Sequence, residues 1–116
     1  MPADNGNDRN TMTVVDYAIA RLAKAGVKDI FGIPGDFAFP WGDAVAKNKE
    51  MKWLGVSNEL NGSYAADVYA RVNGIGAICT TYAVGEMSAL AGIMGAKSEK
   101  VPVIHLTGMP SMRMQK

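Results

Sequence analysis

Apolar positions along the chain alternate between two spacings. Between Thr11 and Ala25 the residues Val14, Val15, Ala18, Ile19, Leu22 and Ala23 recur at i, i+4 and i+8. Asp16, Arg21 and Lys24 fall off that face, so the spacing predicts an amphipathic helix. Thr11 or Thr13 can cap its start and Gly26 can stop it. Val27 to Gly32 is a short apolar run centred on Ile30-Phe31, which predicts a strand. Gly32-Ile33-Pro34-Gly35-Asp36 then reads as a turn, with Pro34 fixing φ and Gly35 free to adopt positive φ. Phe37, Trp41, Ala44 and Val45 resume helical spacing up to Lys47, with Pro40 confined to the first turn.

After the polar connector Asn48-Lys49-Glu50, Met51 to Val56 alternates as a second strand. Ser57-Asn58 has the composition of a cap. In the helix that follows, Leu60, Tyr64, Val68 and Val72 form the apolar stripe, and Ala65 and Ala66 permit close packing. Asn73-Gly74 ends it. Ile75 to Tyr82 is apolar and Thr-rich without alternation, as expected of a strand buried on both faces. Gly85 to Ala96 is small and apolar, with Met87, Leu90, Ile93 and Met94 as its packing residues. Glu99-Lys100 connects to a fourth strand, Val101 to Thr107, which Gly108 and Pro110 stop. The order αβαβαβαβ predicts an α/β fold of three layers, α/β/α, around a parallel doubly wound sheet with right-handed crossovers.

Composition narrows the function. The sequence of 116 residues is the size of one small domain, and its 12 basic and 11 acidic side chains leave a net charge of +1, with no field for nucleic acid. One cysteine, Cys79, lies in an apolar run and reads as a buried inert thiol, so neither a disulfide framework nor a cysteine metal site is available. Residues 1 to 10 are polar and predict a disordered tail rather than a signal segment. No apolar run is long enough to span a bilayer. The expected compartment is the cytoplasm.

In an open parallel sheet, ligands bind beyond the carboxyl ends of the strands. Four segments fall there: Pro34-Gly35-Asp36, Asn58-Glu59, Thr81 to Glu86, and Gly108 to Ser111. Asp36 and Glu59 are therefore expected at one crevice. Neither G-x-G-x-x-G nor G-x-x-x-x-G-K-[ST] occurs, and there is no G-x-S-x-G. The lone histidine, His105, sits mid-strand and reads as a core or edge residue. Taken as physics alone, Glu59 and Glu86 are acidic residues favoured by a helix N-terminus, and Asp36 is a turn residue.

The ordered motifs say more. Phe31-Gly32-Ile33-Pro34-Gly35-Asp36-Phe37, Asn58-Glu59-Leu60-Asn61, Tyr64-Ala65-Ala66-Asp67-x-Tyr69-Ala70-Arg71 and Val84-Gly85-Glu86-x-Ser88-Ala89-Leu90 follow one another at set intervals. Val101-Pro102-Val103-Ile104-His105 and Gly108-x-Pro110-Ser111 continue the series. Over about residues 12 to 112 the chain resembles the pyrimidine-binding (PYR) domain that begins the thiamine-diphosphate-dependent 2-oxo acid decarboxylases, in particular the pyruvate, indolepyruvate and phenylpyruvate group. It departs from the family's usual pattern at Val68, where glycine is common, and at Ala91, where asparagine is common. Ala96-Lys97-Ser98-Glu99-Lys100 likewise stands where Ser-Tyr-Ala-Glu-His is typical.

The resemblance implies a flavodoxin-like PYR fold, incomplete in residues 11 to 116, and a set of roles. Glu59 would hydrogen-bond N1′ of the cofactor's aminopyrimidine and drive the tautomerisation that lets the cofactor remove its own thiazolium C2 proton. Asp36 would assist later proton transfers, and Pro34, Gly35, Val84 and Gly85 would line the pyrimidine site. The implied reaction is non-oxidative decarboxylation of a 2-oxo acid to an aldehyde, in a homodimer or homotetramer. Mg²⁺ and the diphosphate would be held by a domain absent from this sequence, so the chain alone is expected to be inactive. An acetolactate-synthase-like carboligase is the rival within the family, but Asp36 and Asn58 favour the decarboxylase. A non-catalytic interaction module that keeps the fold is the rival outside it.

Overall fold

The computed structural model describes residues 11–115; the tail expected over residues 1 to 10 lies outside them. Four helices and four strands alternate: α1 (Val14–Lys24), β1 (Asp29–Gly32), α2 (Phe39–Lys47), β2 (Lys52–Gly55), α3 (Glu59–Asn73), β3 (Gly76–Thr81), α4 (Val84–Ser98) and β4 (Val103–Gly108). All strand pairs are parallel, in the order β2-β1-β3-β4. The chain builds outward from β1 to β2, crosses back, and builds outward again from β3 to β4. The reversal falls between β1 and β3, and their carboxyl ends open the crevice where such sheets take ligands.

The helix ends follow the sequence closely. Thr13 is the cap of α1; its Oγ1 accepts from the Asp16 N–H (3.1 Å) and donates to the Asp16 carboxylate (2.7 Å). Asn58 caps α3, with its Oδ1 accepting from the Asn61 N–H at 2.9 Å, and Asn61 donates back to Ser57 Oγ at 2.7 Å. Gly74, at φ 92°, closes α3 in the left-handed region that favours glycine. The second helix starts later than its spacing suggested, at Phe39, because Asp36 to Ala38 form a turn first.

The two faces of the sheet are packed differently. Against α1 and α2 lies a conventional core of Ile19, Val27, Ile30, Val45, Ala77 and Cys79. Cys79 is fully buried, and burial pushes its thiol up to about 12, as suits an inert core residue. On the other face α3 and α4 lie close together over Ile78, Phe31 and Val103, and the contact is made by small residues. Ser63, Ala66 and Ala70 of α3 are buried with Ala89, Gly92 and Ala96 of α4. A Cβ at Gly92 would overlap Ser63 Oγ, and one at Gly76 would overlap the Ala66 carbonyl.

This packing corrects the expected apolar stripes. Tyr64, Val68 and Val72 are 52%, 60% and 78% exposed, and only Leu60 of that stripe is half-buried. On α4, Met87, Leu90 and Met94 are exposed as well, while Ile93 is partly buried. The helices turn their small residues inward because close approach demands them, and the large residues are left outside. Arg71 fixes the outer edge of the pair, bonding Asp67 (2.8 Å) on α3 and Glu99 (2.7 Å) just past α4.

Candidate functional site

Glu59 is the first residue of α3, placed there by the Asn58 cap. Its half-buried side chain runs toward the start of α4. A Cβ built on Gly85 would stand 3.0 Å from Glu59 Oε1, 3.2 Å from Thr81 Cγ2 and 3.4 Å from Thr80 Cβ. Gly85 is thus the gap into which the carboxylate fits. Among the described residues no hydrogen bond or ion pair engages that carboxylate. It stands beside an α4 N-terminus that carries no side-chain cap, where backbone N–H groups and the helix dipole favour an acceptor.

The turn after β1 reaches the same place. A Cβ on Gly35 would stand 3.1 Å from Thr81 Cβ, so Thr81 is the shared neighbour of Gly35 and Gly85. Phe37 meets Tyr82 edge-on at a ring separation of 5.1 Å, and Gly108 lies under the Phe37 carbonyl so closely that a Cβ would overlap it. The turn therefore passes over the carboxyl end of β3 to β4. Pro34 and Asp36 are exposed at its rim, as is Val84 on the α4 side. No bond joins Asp36 to Glu59 among the described residues; what they share is the carboxyl edge of the sheet, and it is Gly35, next to Asp36, that meets Thr81.

Two features of the site were not anticipated. Ala83, preceding α4, has φ 55° and ψ −93°, a conformation that costs a non-glycine residue about 1–3 kcal/mol. This backbone conformation makes the entry into α4, whose second residue, Gly85, faces Glu59. The other feature is Thr80, fully buried, whose Oγ1 meets His105 Nε2 at 2.9 Å. Strand alternation puts Thr80 on the same face as Ile78, the only sequence signal that could have singled it out. His105 is a half-buried residue of the edge strand β4, as its position suggested.

Residues 12–116 match the family described as thiamine pyrophosphate enzyme, N-terminal TPP binding domain. The chain belongs to this family. A Schizosaccharomyces pombe protein named for pyruvate decarboxylase is 51% identical over 104 residues, covering 88% of this chain and 18% of that protein. An alpha-keto-acid decarboxylase of Mycobacterium avium is 43% identical over 111 residues, covering 96% of this chain and 20% of its own length. One of Mycobacterium ulcerans is 48% identical over 99 residues, covering 85% and 18%. The chain thus spans about a fifth of the length of the curated relatives it matches.

As a thiamine-pyrophosphate-enzyme domain, the chain has residues that fit an aminopyrimidine. The ring nitrogens of that group seek a carboxyl partner, and Glu59 offers one that no described residue engages. Its flat face seeks an apolar platform approached closely by backbone, and exposed Val84 with Gly85 and Gly35 offers that. No cluster of three or more His, Cys, Asp or Glu able to hold a metal occurs among the described residues, and no helix there is long and apolar enough to cross a membrane.

Proposed function

We propose that this chain is the aminopyrimidine-binding part of a cytoplasmic thiamine-diphosphate-dependent 2-oxo acid decarboxylase that releases an aldehyde, with Glu59 as the catalytic carboxyl group. The observation that carries the reading is the Glu59 carboxylate, which no described residue engages and whose Oε1 lies 3.0 Å from where a Cβ on Gly85 would stand. Thiamine diphosphate, when bound, supplies an electron sink for the carbanion left by loss of CO₂. Glu59 would hold N1′ of the pyrimidine and exchange a proton there. Gly85 and Gly35 let the backbone approach the ring. Val84, exposed at the start of α4, would offer an apolar side chain to the ring. Asp36, exposed at the rim of the same crevice, would assist proton transfer during the reaction.

The remaining parts of the site, Mg²⁺ and the grip on the diphosphate, belong in this reading to chain that these residues do not include. The exposed stripes of α3 and α4 support it: Tyr64, Val68, Leu90 and Met94 form an apolar surface of the kind that marks association. The parent is accordingly read as a homodimer or homotetramer. The test is a graft. Residues 12–112 replace the corresponding segment of a related decarboxylase, and CO₂ release from pyruvate, phenylpyruvate and indolepyruvate is measured with thiamine diphosphate and Mg²⁺. The graft turns over at least one of them and the isolated chain none. A folded graft that binds the cofactor yet releases no CO₂ contradicts the reading.

A further inference from the structure

Asp36 is exposed, and among the described residues no hydrogen bond or ion pair engages its carboxylate, so the side chain goes where its turn goes. The turn is closed by the Ala38 N–H, which donates to the Gly35 carbonyl at 2.7 Å, with Asp36 and Phe37 as the two central residues. Backbone contacts seat it: Gly35 rests on Thr81, and Gly108 lies beneath the Phe37 carbonyl. Ala38, 1% exposed, belongs to the core. Its side-chain anchor on the other rim is the Phe37 ring, which meets Tyr82 with 5.1 Å between centroids and 83° between planes.

Tyr82 stands between Thr81, the last residue of β3, and Ala83, the residue before α4. The entry it leads into is closed by the Met87 N–H, which donates to the Ala83 carbonyl at 2.7 Å, and it delivers Val84 and Gly85. The two rings therefore join the turn that bears Asp36 directly to the turn that opens α4. We propose that Phe37 and Tyr82 are a positioning pair that locks these two rims of the crevice into one unit. The inference rests on the reading of Asp36, Val84 and Gly85 as parts of the aminopyrimidine site. Neither ring has to touch cofactor or substrate for this role.

The contact has a physical basis that apolar bulk alone does not supply. In an edge-to-face pair the positive edge of one ring meets the negative face of the other, and the separation here falls inside the favoured range. Beyond the area it buries, such a pair shifts a conformational equilibrium by about 2- to 12-fold. Misplacing a reacting group by about 1 Å can cost 100-fold in rate. A carboxylate carried on an exposed turn, with no bond of its own, depends on that anchor.

Amide hydrogen exchange in the full chain tests the lock. The Ala38 amide reports the Asp36 turn, the Met87 amide reports the entry into α4, and the Ala25 amide, bonded to the Arg21 carbonyl in α1, serves as reference. The expected result is an effect that crosses from one rim to the other. Tyr82→Leu speeds exchange at Ala38 by about 2- to 12-fold, Phe37→Leu speeds it at Met87 by a similar factor, and Ala25 holds its rate in both. Tyr82→Phe, which keeps the ring, leaves both reporters at the rates of the unaltered chain. An unchanged Ala38 rate in folded Tyr82→Leu overturns the proposal, and so does an equal acceleration at Ala25, which signals general loosening. One check needs no variant: nuclear Overhauser contacts between the Phe37 and Tyr82 ring protons are expected in the unaltered chain, and their absence overturns the proposal outright. An inactive graft would sink the reading of the site and leave these rates standing, so the two failures are separable.

Discussion

At the residue scale the site depends on glycines and on one strained alanine. A side chain at Gly85 would press on Glu59 Oε1 and Thr81, so glycine leaves the carboxylate its place. The sequence motif around Val84-Gly85-Glu86 pointed to this loop, but not to the reason, which is a three-dimensional approach between two helix starts. Ala83 was invisible beforehand, since an alanine before a helix carries no sign of positive φ. Its conformation yields a direct prediction. Ala83→Gly should stabilise the chain by about 1 kcal/mol, because glycine adopts φ 55° without the Cβ penalty. Chemical denaturation of the two proteins checks the sign, and a lower midpoint for the glycine variant would show that Ala83 is unstrained. His105 yields another. Burial lowers its pKa below the ordinary 6.5, so the unfolded chain binds the proton more readily than the folded one. Stability is therefore complete above that value and falls as pH drops toward the folded pKa. Denaturation midpoints measured from about pH 7.5 to about pH 5 should decline, and His105→Gln should flatten the decline.

At the element scale the chain was legible in type and order, and less so in which face each helix buries. All eight elements follow from periodicity, and their caps from Thr13, Asn58 and Gly74. The failure was systematic. In α3 and α4 the apolar stripe was read as the inner face, but the inner face is the stripe of small residues. Hydrophobic periodicity finds the large side chains, and it misleads when two helices approach closely enough to exclude them. The consequence is testable at Gly92, where a Cβ would overlap Ser63 Oγ. Gly92→Ala should cost about 1–3 kcal/mol by forcing the helices apart. Val72→Thr, on the exposed stripe, should change stability by no more than about 0.5 kcal/mol. Comparable losses for both would mean that the buried and exposed faces have been exchanged.

At the scale of the whole molecule, the β2-β1-β3-β4 order explains why residues distant in sequence meet. The reversal between β1 and β3 leaves a crevice, and the elements after β1, β2 and β3 deliver Gly35, Glu59 and Gly85 to it. The parallel sheet and its functional edge could be deduced from the αβ alternation; that Glu59 would reach across to α4 could not. Helix physics accounts equally for Glu59 as a residue favoured by its own helix dipole. The family membership and a carboxylate that no described residue engages, beside a second helix start, favour the working role. The decisive measurement is the rate of CO₂ release by the grafted decarboxylase carrying Glu59→Gln, at saturating thiamine diphosphate and Mg²⁺. Glutamine keeps the shape and the hydrogen-bonding reach of the side chain but cannot exchange the proton. The account predicts that kcat falls by about 100-fold or more with the fold retained. A kcat equal to that of the unaltered graft would contradict it and return Glu59 to the part of a helix-start carboxylate.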